Sequence, residues 1–289
     1  MRVVASLLVA FVTLAAPFSA SAQQPGRVYR IGVLLFNQPT STSAWPAVFS
    51  PTLRQHGYIE GQNVIIETRW PVSGQGFSSL VAELLALKVD IIVALGTEAA
   101  LAAKQATTSV PVVFSGAGNP ERSGLVASLA HPGGNVTGTS NQSMEWSAKQ
   151  FQLLKEISPR ATRIASLWDP ANAAAAILIK EEEPAAKALG FTLIPLGVRD
   201  ADDLERALAR ALSERVEVLN AHLPVLFRHH QRVFEFAAAN RVAVIAGARV
   251  YAQSGALFTF GADIRDVIRH TATYVARILN GAKPADLRP

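Results

Sequence analysis

Short apolar, β-branched runs alternate with stretches of helical periodicity along almost the whole of this 289-residue chain, and that alternation limits the folds open to it. RIGVLLF (30–36), NVIIETRW (63–70), DIIVALGT (90–97), VPVVFSGAG (110–118) and NVTGTSN (135–141) form a first series of strand candidates. Helices are expected between them, from Ala44 to His56 and from Phe77, where Leu80, Leu84 and Leu87 recur at helical spacing beside Val81 and Leu85. Near-continuous apolar strands separated by helices predict a parallel sheet covered on both faces. A helix over Trp146 to Ile157 opens a second series, comprising TRIASLW (162–168), TLIPLGV (192–198), VEVLNAHL (216–223) and VAVIAG (242–247). A further strand, ALFTFGAD (256–263), precedes a helix with Val267, Ala272, Val275 and Ile278 on its apolar side. Two successive series of four or five strands predict two similar α/β lobes rather than one long sheet.

The amino terminus sets the expected compartment. Met1 and Arg2, an apolar run over residues 3–16, Pro17 and the small residues Ala20-Ser21-Ala22 have the layout of a secretory signal peptide. The run is shorter than the ~20 residues that cross a bilayer. Cleavage after Ala22 would leave 267 residues carrying a net charge of +4, and no later segment is long and apolar enough to span a membrane. A soluble, exported mature protein is expected. With 49% apolar and 17% charged residues the chain can bury substantial cores, which excludes disorder. The absence of cysteine excludes disulfides, thiolate metal sites, a thiol nucleophile and a lipid carried on an amino-terminal cysteine. Basic residues are scattered, with no Lys/Arg block interleaved with aromatics, so no nucleic-acid partner is expected.

In open parallel sheets ligands collect outside the carboxyl ends of the strands, where helix N-termini present N–H groups. The joints standing there are Phe36-Asn37-Gln38, Gly96-Thr97-Glu98, Ser115 to Asn119, Asn141-Gln142, Trp168 to Asn172, and Asn220-Ala221-His222. They mix small residues, amides, hydroxyls and a few aromatics, which suits a small polar molecule with an apolar part. Each also has a purely structural role open to it. Thr97 and Asn172 can cap helices, Gly116 can permit a turn, Asp169 before Pro170 can initiate a turn or cap, and Trp168 can fill a lobe core. Their accumulation at the same end of successive strands is what favours a site.

Catalytic and cofactor signatures are missing. There is no G-x-x-x-x-G-K-[ST] loop, GAGNPE (116–121) has Glu121 where a dinucleotide fingerprint needs glycine, and no G-x-S-x-G is present. His222, His229 and His230 lie near one helix without H-E-x-x-H and are expected at the surface or at a cap. Glu181-Glu182-Glu183 is expected on a solvated helix face. No catalytic residue, metal or cofactor is expected.

YRIGVLLF, the FxxxLRQHGYIEGQNVxIExRW stretch (49–70), LVAxLLxLKVDIIVALGT (80–97), VPVVFSGAGNPERSGLVASLAHPGGNVTGTSN (110–141) and YVARILNGAKPADL (274–287) are specific motifs that cover nearly the whole mature chain. In them the chain resembles the ABC transporter substrate-binding proteins of a family that includes tryptophan- and tyrosine-binding members. The resemblance implies the type I periplasmic binding protein fold: two Rossmann-like lobes joined by a hinge and closing on a ligand. It implies a first lobe over residues 28–141, to which residues 256–284 return, and a second over 142–255, with crossings near Thr139 to Gln142 and Ser254 to Ala256. It also implies a further crossing, strand and helix after residue 287. A chain ending at Pro289 is therefore expected to be truncated or to finish its second lobe differently, and an absent strand would expose an edge.

Carried onto this sequence, the resemblance implies a ligand site at Phe36, Asn37, Gly96, Thr97, Ser115, Gly116 and Asn141, to which we add Trp168, Asp169, Asn172 and Asn220 from the second lobe and Tyr251 at the rim. An amino-acid ligand would direct its carboxylate to the helix N-terminus at Thr97 and its ammonium to Asp169, while Trp168 or Phe36 packs on its side chain. The expected function is a monomeric periplasmic protein that captures an amino acid, aromatic or related, for an ABC permease in the inner membrane. The alternatives are a sugar or aromatic-acid binding protein, or a ligand sensor feeding a receptor kinase or chemoreceptor.

Overall fold

A computed structural model describes residues 27–39, 44–72, 75–141 and 143–288; the expected signal peptide lies outside the described residues. Five parallel strands build a first sheet: β1 (Tyr29–Leu34), β2 (Val64–Arg69), β3 (Ile91–Leu95), β4 (Val112–Ala117) and β5 (Val136–Ser140), in the order β2-β1-β3-β4-β5. Helices α1 (Ala44–Gln55), α2 (Phe77–Ala86) and α3 (Gly96–Ala106) connect the first four of these strands. Five more strands build a second parallel sheet: β6 (Arg163–Trp168), β7 (Thr192–Gly197), β8 (Val218–Ala221), β9 (Ala243–Ala246) and β10 (Phe258–Thr259), in the order β10-β9-β8-β6-β7. Helices α4 (Ser143–Ile157), α5 (Ala173–Ala188), α6 (Ala201–Ser213) and α7 (Leu223–Asn240) belong to this second series, and α8 (Ile264–Leu279) follows it.

Both faces of each sheet are apolar because side chains alternate across a strand. On one face of the first sheet Ile31, Val33, Ile91, Val93 and Val113 pack under α1 and α8 with Phe49, Leu53, Ile268, Ala272 and Val275. Their sequence neighbours Leu34, Ile92, Ala94, Val112 and Phe114 face the other way, onto Leu80, Val81, Leu84 and Ala100 of α2 and α3. The second sheet repeats the device. Ala165, Leu167, Leu219 and Ala221 meet α6 and α7, whereas Ile164, Val218 and Ile245 meet Phe151, Leu154 and Ala186 of α4 and α5.

The fold is the expected pair of α/β lobes, with one reassignment. The strand at 256–263 was expected to return to the first lobe, but β10 pairs with β9, matching Phe258 to Ile245 and Thr259 to Ala246, and so belongs to the second sheet. The chain crosses back between Phe260 and Asp263, and α8 then packs on α1, β4 and β5 of the first lobe. The segment after α8 stays there too. Leu287 is buried in the first-lobe core, and its carbonyl accepts a 2.6 Å hydrogen bond from Thr137 Oγ1.

Candidate functional site

The carboxyl ends of strands from both sheets converge on one cavity of about 180 Å³. From the first lobe come Phe36 beyond β1, Gly96 and Thr97 at the start of α3, Ser115, Gly116 and Gly118 at the end of β4, and Asn141 beyond β5. From the second come Trp146, Ser147 and Gln150 on α4, Asn172 and Leu178 on and before α5, Asn220 and His222 at the end of β8, and Phe227 on α7. Phe260 from the returning crossing and Ile264, Val267 and Ile268 of α8 complete an apolar flank.

The first-lobe wall owes its shape to backbone that only glycine accepts. Gly96 sits at φ +72, and a Cβ there would stand 2.4 Å from Phe36 Cζ, so the ring packs where a side chain would be. Gly116 sits at φ +66 beside the register shift that separates Ser115 from Ala117 in the β4–β5 ladder. Thr97 is buried and lies inside α3, because the N-cap position falls on Leu95. Its hydroxyl braces the neighbouring loop: Gly118 N donates to Thr97 Oγ1 at 3.1 Å, and the hydroxyl donates to Gly118 O at 3.3 Å. Behind this wall Ser115, Thr139 and Thr271 form a buried hydroxyl cluster, with Thr271 Oγ1 donating to Ser115 Oγ at 3.0 Å.

Behind the second-lobe wall stands a buried carboxylate, in contact with the lining residues Ser147, Asn220 and His222. Glu182 has a fully buried side chain on the inward face of α5, between Leu178 and Ala186 at helical spacing. Oε1 receives Ser147 Oγ at 2.9 Å, Asn220 Nδ2 at 3.0 Å and His222 Nε2 at 3.0 Å, and Oε2 receives Ser166 Oγ at 2.8 Å. Burial pushes the Glu182 carboxyl up, but His222 and the two serine hydroxyls outweigh it and hold the group below its ordinary value. Glu182 is thus no part of a solvated face. His222, expected at a surface or cap, is buried, pairs with this carboxylate and lines the cavity. It does occupy the N-cap position of α7 but makes no capping bond with its side chain.

Of the twelve residues anticipated, Phe36, Gly96, Thr97, Ser115, Gly116, Asn141, Asn172 and Asn220 line the cavity. Asn172 also caps α5, with Oδ1 accepting from Ala175 N at 3.1 Å, so its structural and site roles coexist. Four stand elsewhere. Tyr251, expected at the rim, is buried in the second-lobe core and stacks on Phe234, and that burial raises its hydroxyl's pKa. Trp168 closes β6 outside the cavity lining. Asp169 was expected to meet an ammonium, but it is buried away from the lining and forms an ion pair with Arg228 Nη2. Asn37 reaches across to the second lobe, where its Nδ2 donates to Phe227 O at 3.2 Å.

That last contact belongs to a seam that holds the lobes together at the cavity mouth. Phe36 stacks on Phe227 with centroids 5.4 Å apart, and Arg122, between β4 and β5, pairs with Glu181 of α5 at 2.6 Å. Glu98 in the first turn of α3 lies within the field of the Asp169–Arg228 pair; burial and then Asp169 raise its pKa, with Arg228 opposing. Sequence reading missed Trp146, Ser147, Gln150, Phe227 and Phe260, all cavity residues contributed by helices and crossings rather than by the strand-end joints.

Residues 31–289 match the model of the ABC transporter substrate binding protein family. A tyrosine-binding protein of Clostridioides difficile (strain R20291) is 26% identical over 244 residues, covering 83% of this chain and 69% of its own. Among solved structures, a conserved domain protein from Vibrio cholerae superposes with a TM-score of 0.82 at 25% identity, covering 91% of this chain and 88% of the other. A Streptococcus pneumonia ABC domain in complex with L-Trp gives 0.80 at 25% identity, covering 90% and 88%. The architecture is the type I periplasmic binding protein fold. Two α/β lobes meeting over a cavity, matched in family from residue 31 onward, lead to one conclusion: the chain belongs to the ABC transporter substrate-binding protein family, a family of solute-binding proteins rather than enzymes.

Proposed function

We propose that the protein captures an aromatic amino acid in the periplasm by closing its two lobes, and presents it to an ABC permease for import. The observation that carries this reading is the composition of the cavity. Phe36, Trp146, Phe227 and Phe260 offer ring faces and edges, and Leu178, Ile264, Val267 and Ile268 add an aliphatic floor. Amides and hydroxyls from Thr97, Ser115, Asn141, Gln150, Asn172 and Asn220 surround them. An aromatic side chain with a compact polar head matches that division. The N-termini of α3, α5 and α7 all open on the cavity, which favours a carboxylate there. The likeness to relatives named for tyrosine binding and solved with L-Trp supports the same solute class.

Capture needs no bond chemistry. A ligand shifts the open–closed equilibrium only by its preference for the closed state, and contacts to both walls at once supply that preference. Export rests on the amino-terminal pattern of residues 1–22, and among the described residues no helix is long and apolar enough to cross a membrane. Calorimetric titration of ligand-stripped protein with amino acids, aromatic acids and sugars, paired with small-angle scattering, tests the reading. Binding of tryptophan, tyrosine or phenylalanine with compaction is expected; binding confined to sugars, or no binding by folded protein, would overturn it.

A further inference from the structure

Gln150 puts a polar group among the apolar residues of the cavity. It lies on α4 one turn after Trp146 and three residues after Ser147, so all three share the face that lines the cavity. Its amide has a fixed orientation. A backbone carbonyl only accepts, so the atom 2.6 Å from Phe260 O is the donor Nε2, and Oε1 is turned away from that carbonyl. Oε1 has no hydrogen-bond partner among the described residues. The partnerless side-chain atoms sealed off from solvent there are Trp168 Nε1, His222 Nδ1 and His229 Nε2, so Oε1 is not sealed. In a residue only 5% exposed that lines the cavity, its opening is onto the cavity.

The neighbouring polar groups make the same demand. Ser147 Oγ donates to Glu182, and Asn220 Nδ2 donates to Glu182 and to Ser166 Oγ. Their protons are spent behind the wall, which leaves the Ser147 and Asn220 oxygens as acceptors on the cavity side. Among the described residues no lysine or arginine lines the cavity to meet them. What this wall lacks is a donor, and an acceptor left unmet inside a closed cleft is costly. The place of Gln150 decides which part of the solute supplies it. Phe260, Trp146 and the aliphatic residues of α8 form the apolar flank, and no carboxylate lines the cavity there to balance an ammonium. A neutral donor on the ring meets Oε1 at no such cost.

We infer that Gln150 is a specificity-determining residue whose Oε1 accepts a hydrogen bond from a donor carried on the solute's ring, the N–H of an indole or the O–H of a phenol. The inference rests on the aromatic amino-acid reading of this cavity and narrows it. Tryptophan or tyrosine is favoured over phenylalanine, whose ring has no donor. Phe260 acts as the positioning residue, because its carbonyl holds the nitrogen end of the amide.

The test is calorimetric titration of ligand-stripped protein with two matched pairs. One is L-tyrosine against L-phenylalanine; the other is L-tryptophan against β-(3-benzothienyl)-L-alanine, in which sulfur replaces the indole N–H at nearly constant shape. In at least one pair the donor-bearing member is expected to bind about 5- to 150-fold more tightly, the range for leaving a buried acceptor unpaired. Gln150→Met keeps the length of the side chain and removes the acceptor, and it is expected to bring that ratio to within about twofold. A purely structural role for Gln150 would instead weaken both members alike. Equal binding within both pairs by the unmodified protein, or an unchanged ratio in Gln150→Met, would overturn the inference, and the first of these needs no variant. Indole-3-acetate and benzothiophene-3-acetate, which carry no amino group, separate the two claims. Preference for the indole acid while no amino acid binds would uphold the ring-donor site and sink the amino-acid reading. Amino-acid binding with equal affinities within both pairs would do the reverse, and no binding of any of these solutes by folded protein would sink both.

Discussion

Replacing Glu182 by alanine removes a wholly buried carboxylate and strands four donors: Ser147 Oγ, Ser166 Oγ, Asn220 Nδ2 and His222 Nε2. Breaking a buried, hydrogen-bonded charge pair by deleting one partner costs about 3–5 kcal/mol. Each buried donor left without a partner costs about 1–3 kcal/mol on its own scale, and water entering the vacated space offsets part of that. A net loss of about 3–5 kcal/mol is therefore expected. In a domain of this size that corresponds to a fall in melting temperature of roughly 6–20 °C, at about 2–4 °C per kcal/mol. Calorimetry and urea denaturation of the ligand-free protein measure it. The pH dependence adds an independent check. The folded-state pKa of Glu182 is depressed, so its contribution is present above the ordinary carboxylate range and is lost as pH falls through the depressed folded value. The unmodified protein should lose stability on acidification into that range, and Glu182→Ala should lose less over the same interval. A loss under about 1 kcal/mol together with an unchanged acid limb would refute the claim that this network holds the second lobe's cavity wall in place.

Other perturbations probe the seam and the first-lobe wall. Phe227→Ala deletes the interlobe stack on Phe36, worth about 0.5–1.5 kcal/mol, and should weaken ligand binding by at least about 2- to 10-fold by titration calorimetry. Arg122→Ala removes the exposed pair with Glu181, which lies outside the cavity; affinity should fall by no more than about fivefold, and the difference should shrink in high salt. Gly96→Ala forces a Cβ against Phe36 in a backbone conformation that L residues resist, so both thermal stability and affinity should drop, read by calorimetry and titration. Asp169→Asn should change tryptophan affinity by less than about threefold in the same titration, since its partner is Arg228 and not the cavity.

The fold was legible because a parallel sheet buried on two faces needs uninterrupted apolar strands, and RIGVLLF or DIIVALGT admit few other readings. The strand-end rule then found most of the first-lobe wall, since Phe36, Gly96, Thr97 and Ser115 are fixed by where β1, β3 and β4 stop. What sequence could not give was which way a joint residue points. Trp168, Asp169 and Asn172 stand together at the carboxyl end of β6, yet only Asn172 reaches the cavity: Trp168 still pairs in the strand and Asp169 turns to an arginine 59 positions along the chain. Glu182 was hidden by its neighbours. Glu181 and Glu183 made the triplet look solvated, although Leu178 and Ala186 mark position 182 as inward at i±4. The misassigned strand had a similar cause: ALFTFGAD reads as a strand in either lobe, and only pairing of Phe258 with Ile245 decides which.

The central claim is that this chain closes its two lobes around an aromatic amino acid, and the most direct measurement is small-angle scattering of ligand-stripped protein with and without L-tryptophan, matched to a calorimetric titration of the same sample. The account predicts a one-to-one isotherm and a smaller radius of gyration when ligand is bound, as Phe36 stacks on Phe227 across the closed mouth. A folded protein that binds none of tryptophan, tyrosine or phenylalanine, or that binds one with no change in its dimensions from an open ligand-free state, would contradict it.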